Sequence, residues 1–276
     1  MLGCAFVRVL SQVPPNIVLP AAIGGEVSLN PYVAVAADSG DGKNAAMNAA
    51  AAAFRVDGVP KWPIGSGEGF SKHYVHAEAD GGGGVKLAQH ETSTIVDCSE
   101  VDKLNALKRR VGSTVMATLR DAWMGDELGA GNSEADRRLR VRQHAYRLGF
   151  VIGVQPKRGA ALLGPDEEAG GTPQRFLWVP GTDPYLPDVD ILEPDRIPWE
   201  LPTVPDGDGR FYNCRDERLH AIDVWPPAIR MIREQRRRRQ QRKPGAIGGH
   251  ALLCREKVAA ALGILNGRLS VNEEDW

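Results

Sequence analysis

One stretch near the amino terminus, VAVAADSGDGKNAAMNAAAAAF from Val33 to Phe54, constrains the fold more than any other part of the sequence. It reads as a short apolar strand, a loop with two glycines that ends in Gly-Lys, and an alanine-rich helix. This is the layout of a phosphate-binding loop, whose usual pattern is G-x-x-x-x-G-K-[ST]. Here Ala37 takes the first glycine position and Asn44 takes the hydroxyl position. The stretch is therefore either a nucleotide site or a plain strand–turn–helix, and the rest of the sequence has to decide between them.

The chemistry of such a loop depends on its backbone. Consecutive N–H groups at a helix N-terminus surround the phosphates, and glycines keep side chains out of the way. Lys43 would add charge at the β- and γ-phosphates, and the Asn44 carboxamide oxygen could hold Mg²⁺ in place of a hydroxyl. Ala37 is compatible with this if its backbone is extended. The predicted nucleotide-binding residues are Asp38, Ser39, Gly40, Asp41, Gly42, Lys43 and Asn44.

Acidic residues follow the second predicted strand, in TIVDCSEVD. Nucleotide hydrolysis needs one carboxylate to hold Mg²⁺ and another to orient the attacking water. Glu100 is the candidate for the water, and Asp97, directly at the strand end, is the alternative carboxylate for the metal. Glu100 and Asp102 could instead simply begin a helix, where acids suit the macrodipole. The predicted metal ligands are Asn44, Asp97 and Glu100.

Two polar residues on later strands complete the candidate set. Gln155 ends the third strand, in YRLGFVIGVQP, where it could sense the γ-phosphate or the attacking water, or only bond to loop backbone. Arg175, in GTPQRF, could reach a neighbouring subunit's phosphate as an arginine finger, although an arginine at a strand edge more often forms a surface ion pair. The predicted catalytic residues are Lys43, Glu100, Gln155 and Arg175.

Strands that alternate with helices predict an α/β fold with a mostly parallel sheet. We divide the chain into a core over 1–205, with an N-terminal helix and a Pro-rich exit segment, and a basic and amphipathic helical region over 206–276. The segment GSGEGFSKHYVHAEA is expected to be a loop that feeds another helix. The final SVNEEDW resembles a capping sequence that opens a helix, which suggests a longer architecture that has been cut or shortened.

Composition sets outer limits on the function. The chain has 276 residues and a formal net charge of −1, so charge alone gives no preference for acidic partners. No run approaches the roughly 18 apolar residues of a membrane span, and the first residues lack the basic start of a signal peptide. The cysteines, Cys4, Cys98, Cys214 and Cys254, have neither zinc-ligand nor C-x-x-C spacing. We therefore expect a cytoplasmic protein with reduced cysteines.

Several stretches together resemble one family. They are SLNPYVAVAADSGDGKNAA, GSGEGFSKHYV, SEVDKLNALKRRVGSTVMATLRDAW, RLGFVIGVQP, GTPQRFLWVP and the tail GHALLCREKVAAALGILNGRLSVNEEDW. In order and spacing they are similar to the P-loop ATPase domain of actinobacterial-type phage, prophage and plasmid primase–helicase proteins, which has a RecA-like core. The resemblance implies ATP and Mg²⁺ as cofactors, Lys43 on phosphate, Glu100 in the acidic position, Gln155 as sensor and Arg175 as finger or sensor arginine. It also implies a homo-oligomer that works on DNA beside a primase module, which would lie in another chain or a missing segment.

A basic run, IREQRRRRQQRK, is the clearest candidate for contact with nucleic acid. Such a density of arginines can neutralise several phosphates, although four in succession, Arg236–Arg239, must point to more than one helix face. A solvated, self-repelling linker explains the run almost as well. The loop MGDELGAGNSEADRRLR is a second candidate for DNA contact, from its position in the predicted fold alone.

Three function classes follow from these residues. The leading hypothesis is a DNA-coupled, helicase-like ATPase of mobile-element replication. The alternative is a degenerate nucleotide-binding scaffold or regulator without turnover, because Asn44 replaces the hydroxyl residue. A small-molecule kinase is a weaker third hypothesis, since no lid or acceptor pocket is evident in the sequence.

Overall fold

The structure of the protein is a computed structural model, and it describes residues 1–79, 85–129, 139–183, 185, 195–202 and 218–276. The helices of these residues are α1 (Leu2–Ser11), α2 (Lys43–Ala53), α3 (Val101–Lys108), α4 (Val115–Met124), α5 (Ala160–Leu163), α6 (Pro165–Ala169), α7 (Pro226–Gln240) and α8 (Gly249–Leu265). Short 3-10 helices cover Gly67–His73, Pro156–Arg158 and Pro173–Arg175. No helix in the described part of the chain is long and apolar enough to cross a membrane.

The strands are β1 (Ile17–Leu19), β2 (Val27–Ser28), β3 (Tyr32–Ala36), β4 (Lys61–Pro63), β5 (Val75–Ala79), β6 (Val85–Gln89), β7 (Ser93–Cys98), β8 (Arg147–Val154), β9 (Leu177–Pro180), β10 (His220–Ala221), β11 (Asp223–Val224) and β12 (Ser270–Val271). Five of them form a sheet in the order β4–β7–β8–β3–β9, and every neighbouring pair is parallel. The predicted α/β class with a mostly parallel sheet is thereby confirmed.

The two central strands explain why this sheet forms. All eight residues of β8 are buried, and β3 is buried except at its last residue. Strands covered on both faces read as continuous apolar runs, which is how YVAVA and RLGFVIGV appear in the sequence. One face packs on α1 and α2 through residues such as Val7, Val33 and Ala50. The other face packs on α3 and α4 through residues such as Leu104 and Leu119.

The C-terminal region packs directly on the N-terminal region. Strand β1 pairs with β10 in parallel, and α1 shares an apolar cluster with α8. Lys257 of α8 is fully buried, donates to the carbonyls of Asn30 and Trp123, and lies 3.7 Å from the centre of the Trp123 ring. The division at residue 205 falls inside the undescribed residues 203–217. The division into a core and a helical region therefore stays a prediction, and the described residues on its two sides contact each other extensively.

Several local expectations were wrong. The segment after GSGEG is a 3-10 helix followed by the antiparallel hairpin β5–β6, whereas a loop and a helix were expected. The edge strand β4 and the short strands β1, β2, β5 and β6 were not predicted. The expected capping contacts at the C-terminus do form, because Asn272 and Asp275 exchange side-chain-to-backbone hydrogen bonds. They close a turn after β12, and no further helix follows among residues 272–276.

Candidate functional site

The loop between β3 and α2 has the backbone that a phosphate loop requires. Gly40 and Gly42 have positive φ angles of 92° and 83°, a conformation that favours glycine. Helix α2 begins at Lys43, and no side chain caps its first turn. The unpaired N–H groups of that turn are therefore available to an anion, and the helix macrodipole favours one there. The predicted strand, loop and helix all form, with β3 at Tyr32–Ala36 and α2 at Lys43–Ala53.

Ala37 replaces the usual first glycine without strain. Its φ is not positive, and its N–H donates to the Val154 carbonyl at the end of β8. The space for its methyl group comes from Gly181, where a Cβ would lie 2.8 Å from the Ala37 Cβ. Alanine therefore fits at this position because Gly181, directly after β9, carries no side chain.

Lys43 is held inside the loop. It is only 6% exposed, and its Nζ donates to the carbonyls of Ala37 at 3.0 Å and Asp38 at 2.6 Å. The Asp38 N–H in turn donates to the Asp41 carboxylate at 3.0 Å. A buried ammonium with only backbone carbonyls as partners is placed to exchange them for phosphate oxygens.

A glycine in β8 brings the acidic strand end next to this lysine. A Cβ at Gly153 would lie 2.3 Å from the Ser99 carbonyl oxygen and 3.6 Å from Lys43 Cδ. The turn after β7 can therefore reach the lysine stem only because residue 153 carries no side chain. The ends of β3, β7 and β8 meet at this point, which is the carboxyl edge of the parallel sheet, where α/β proteins bind ligands.

Glu100 and Gln155 contact each other at this edge. The Gln155 amide donates to the Glu100 carboxylate at 3.3 Å, although the two residues lie 55 positions apart. Glu100 is the N-cap residue of α3, but its side chain makes no capping bond. Glu100 therefore begins a helix, as one of its two sequence interpretations has it, while its role toward an attacking water stays a prediction.

Asp97 is the predicted metal ligand whose surroundings fit best. It lies two residues beyond Ile95 in β7, so it points to the sheet face covered by α1 and α2. One carboxylate oxygen pairs with Lys61, while Oδ1 is buried and has no hydrogen-bond partner among the described residues. Asn44 is exposed on the first turn of α2. No group of three or more His, Cys, Asp and Glu in the described ranges could hold a metal alone, but Mg²⁺ at phosphates needs only one or two protein ligands.

Two neighbours of the acidic strand end have other roles. The Asp102 carboxylate forms an ion pair with Arg158 at the surface, which takes it out of the site. Burial raises the pKa of the Cys98 thiol to about 11, so it is a neutral, packed side chain.

The structure does not bring Arg175 to the loop. Arg175 precedes β9, at the amino edge of the sheet, opposite the edge that holds Lys43. It is 8% exposed, donates to the carbonyls of Gly170 and Gly171, and lies 5.5 Å from the centre of the Trp123 ring. An arginine held this way inside its own chain is placed to brace the fold, and nothing in its surroundings extends it toward another subunit.

The two candidate DNA elements lie away from the loop. The basic run lies in α7 up to Gln240 and divides over the faces of the helix, and its last basic residues, Arg242 and Lys243, follow the helix end. The loop over 124–140 is described only at its ends, where Leu128 pairs with Val141, and residues 130–138 lie outside the described part. The described ends sit before β8 begins, on the amino side of the sheet.

Sequence reasoning missed the two glycines that make the site possible, Gly153 and Gly181. A glycine within a strand pattern is a known sign of close backbone approach, so the IGV of β8 carried a usable signal. Comparison with known proteins adds no further information on this site: no family model and no curated protein matches the chain.

Proposed function

We propose that the chain is a nucleotide-binding protein of the P-loop type, with ATP on the loop over 38–44, and that it hydrolyses ATP. The observation that carries this is the buried Lys43 at the start of α2, with only loop carbonyls as partners, beside the Glu100–Gln155 pair. The sheet order, in which the strand that ends in Gln155 separates the loop strand from the acidic strand, is compatible with a RecA-like core.

The residues of the chain suggest a division of labour in hydrolysis. The loop N–H groups and Lys43 hold the β- and γ-phosphates and stabilise the charge that develops there. The Glu100 carboxylate accepts a hydrogen bond from the attacking water and aligns it with the γ-phosphorus. As the new oxygen–phosphorus bond forms, the bond to the bridging oxygen breaks and ADP leaves. Gln155, bonded to Glu100, holds that carboxylate in place and senses whether the γ-phosphate is present.

Mg²⁺ fits the same edge. The unpartnered Oδ1 of Asp97 and the exposed Asn44 amide are the groups that would hold it, directly or through water, and Glu100 is the further predicted ligand. When bound, Mg²⁺ neutralises charge on the phosphate oxygens.

We further propose that turnover is coupled to DNA, preferably single-stranded, in a homo-oligomer that works with a primase module in mobile-element replication. The support for DNA is the exposed arginines of α7, which form a dense basic surface on a chain whose formal net charge is −1. Arg175 is not included as a finger, because its guanidinium is enclosed by its own chain.

The direct test of nucleotide binding uses a fluorescent ATP analogue with the purified chain and with Lys43→Ala. Saturable binding that is weakened by about tenfold or more in the variant supports the proposal. Equal affinity in both proteins would place the nucleotide elsewhere.

A second candidate function is a nucleotide-binding scaffold without turnover. The specific observation in its favour is Asn44, an exposed amide where hydrolysing loops carry a hydroxyl. Asn44→Ser separates the two functions. A large gain in hydrolysis would identify the natural site as a binding site only, while an unchanged rate would show that asparagine suffices.

A further inference from the structure

A second cleft lies at the opposite end of the sheet from Lys43. It has a volume of about 460 Å³ and is bounded by α7, by the start of α8 and by the segment between α6 and β9. Ile23, Ile232, Ile247 and Leu252 give it an apolar lining. The polar lining includes Arg236, Arg239, Gln174 and His250. Nothing in the nucleotide-site proposal uses this cleft.

The face of α7 that lines the cleft carries a concentrated positive charge. Arg236 and Arg239 lie on the same side of the helix as the buried Ile232, and neither has an ion-pair partner among the residues that the structure describes. One carboxylate, Glu168, also lines the cleft. Burial, with nearby Arg175, Arg239 and Lys257, lowers the pKa of His250 to about 4, so its ring is neutral at physiological pH. The two arginines therefore outweigh the single acid.

The start of α8 adds a second source of positive potential to the same space. This 17-residue helix begins at Gly249, and its N-cap residue Gly248 provides no side-chain cap. A Cβ at Gly248 would lie 2.8 Å from the Gln174 side-chain oxygen and 3.2 Å from an Arg239 guanidinium nitrogen. Glycine thus allows Gln174 and Arg239 to close over the helix start, where free N–H groups favour an anion. At Gly249, which also lines the cleft, a Cβ would meet nothing within 4 Å.

We propose that this cleft binds a phosphate-bearing small molecule of about nucleotide size, separate from the nucleotide on the Lys43 loop. Arg236, Arg239 and the first N–H groups of α8 take the phosphate, because guanidinium groups match phosphate oxygens in geometry and charge. The aliphatic side chains, among them Ile232 and Ile247, take the apolar part of the ligand. The volume lies in the range of about 300–1,000 Å³ that small-molecule sites occupy.

The test is calorimetric titration of AMP into the full chain that carries Lys43→Ala, so that the loop lysine is absent throughout. We expect binding that weakens by about tenfold or more in Arg236→Gln/Arg239→Gln. The matched control is Arg230→Gln/Arg237→Gln, which removes the same charge from the same helix at positions that do not line the cleft. The control is expected to stay within about twofold of the parent. An equal loss of AMP affinity in both double variants, or no AMP binding by the chain that carries Lys43→Ala alone, would overturn the proposal.

A variant without charge change makes the test independent of general electrostatics. Gly249→Leu adds a side chain at a residue that lines the cleft without contact to other atoms at its Cβ, so the chain is expected to keep its melting temperature and to bind AMP more weakly. Unchanged AMP affinity in this variant contradicts the proposal. A single-stranded oligothymidine competitor distinguishes the sources of phosphate. If the oligonucleotide binds through Arg236 and Arg239 while AMP does not, the cleft belongs to a nucleic-acid surface and the small-molecule site is refuted.

Discussion

At the scale of single residues, the site depends on Gly153, which has no Cβ. Gly153 leaves room for the Ser99 carbonyl, which a Cβ would approach to 2.3 Å, and the stem of Lys43 lies nearby at an ordinary contact distance. The loop sequence alone predicts neither contact. The residue that sets the distance between the phosphate loop and the acidic strand end is thus a glycine of a third strand.

Gly153→Ala should therefore damage both the fold and the site. Its methyl group would lie 2.3 Å from the Ser99 oxygen, so the turn after β7 must move away. Overpacking of this kind costs about 1–3 kcal/mol, which denaturant unfolding measures, and nucleotide affinity should fall as well. Gly25→Ala is the control, since a Cβ there would meet nothing within 4 Å and should change stability by less than about 0.5 kcal/mol. Equal stability of the two variants would show that the turn does not approach β8 this closely.

Glu100 is the residue whose role can be separated from binding. Glu100→Gln keeps the size and the hydrogen bond to Gln155 but removes the negative charge that aligns water. We expect ATP hydrolysis to fall by about 10²–10⁴-fold, while the nucleotide affinity measured without Mg²⁺ is preserved. Asp102→Asn is the matched control, because Asp102 pairs with Arg158 at the surface. If the two variants hydrolyse ATP at similar rates, Glu100 does not act on the water.

At the scale of elements, the sequence predicts those that have a strong local signal. Strands β3 and β8 are continuous apolar runs, and α2 is rich in alanine, so these elements were correctly predicted as strands and a helix. Strand β4 was missed because KWP is exposed and ends in proline, and its structure comes from pairing with β7. The hairpin β5–β6 was missed although VHAEA and the start of VKLAQ alternate apolar and polar residues, a signal that the prediction of a loop and a helix did not use. Pairing with β7, about 30 residues later in the chain, decided β4, and a local pattern does not contain that information.

The same limit applies to the candidate site. Lys43, Asp97, Glu100 and Gln155 were found because each stands at the end of a recognisable strand or loop, and parallel strands bring those ends to one edge. Arg175 was predicted on a different ground, as a finger toward a neighbouring subunit, and the structure places it before β9 begins, at the other edge of the sheet.

Helix α8 contains a buried acid that gives a pH-dependent prediction. Burial raises the pKa of Glu256 to about 7, and its Oε1 has no hydrogen-bond partner among the described residues. Between its ordinary pKa of 4.5 and about 7, Glu256 is therefore still protonated in the folded state but ionised in the unfolded chain. The free energy of unfolding consequently falls as the pH rises through this window up to about 7. Glutamine does not ionise, so Glu256→Gln should not show this fall. The free energy of unfolding of the variant minus that of the natural chain should be larger at about pH 8 than at about pH 5, by on the order of 2 kcal/mol.

Denaturant unfolding of both proteins at the two pH values measures this difference, and contributions common to both, such as that of His250, cancel. Lys257 keeps its carbonyl partners in the variant, since it donates to Asn30 and Trp123. Glu234→Gln, which removes an exposed carboxylate, serves as the matched control. A difference for Glu256→Gln that is the same at both pH values would contradict a raised pKa.

At the scale of the whole molecule, the charge is distributed in a way that the net value of −1 conceals. The arginines of α7 divide between the cleft, which takes Arg236 and Arg239, and other faces of the helix, which carry Arg230, Arg233 and Arg237. Positions 230, 233 and 237 are spaced to share one face. This exposed face is the one that can follow a nucleic-acid backbone.

Single-stranded DNA binding should therefore depend on that face and on salt. Replacing Arg230 and Arg237 with glutamine is expected to weaken binding at every sequence tested and to reduce the slope of log affinity against log salt by about 1–2. Fluorescence anisotropy over a salt series measures both quantities. Replacing Arg109 and Arg110, exposed at the end of α3, is the control with equal loss of charge. An identical slope for the two double variants would rule out α7 as the specific surface.

The most direct measurement of the central claim is ATP hydrolysis by the purified chain with magnesium, with and without single-stranded DNA, beside Lys43→Ala. The proposed function predicts ATP turnover that DNA stimulates and that the variant loses, because the Lys43 side chain is held at the start of α2, where the phosphates would bind. Hydrolysis that persists in Lys43→Ala, or ATP binding without turnover in either condition, would contradict the claim of an ATPase at this loop.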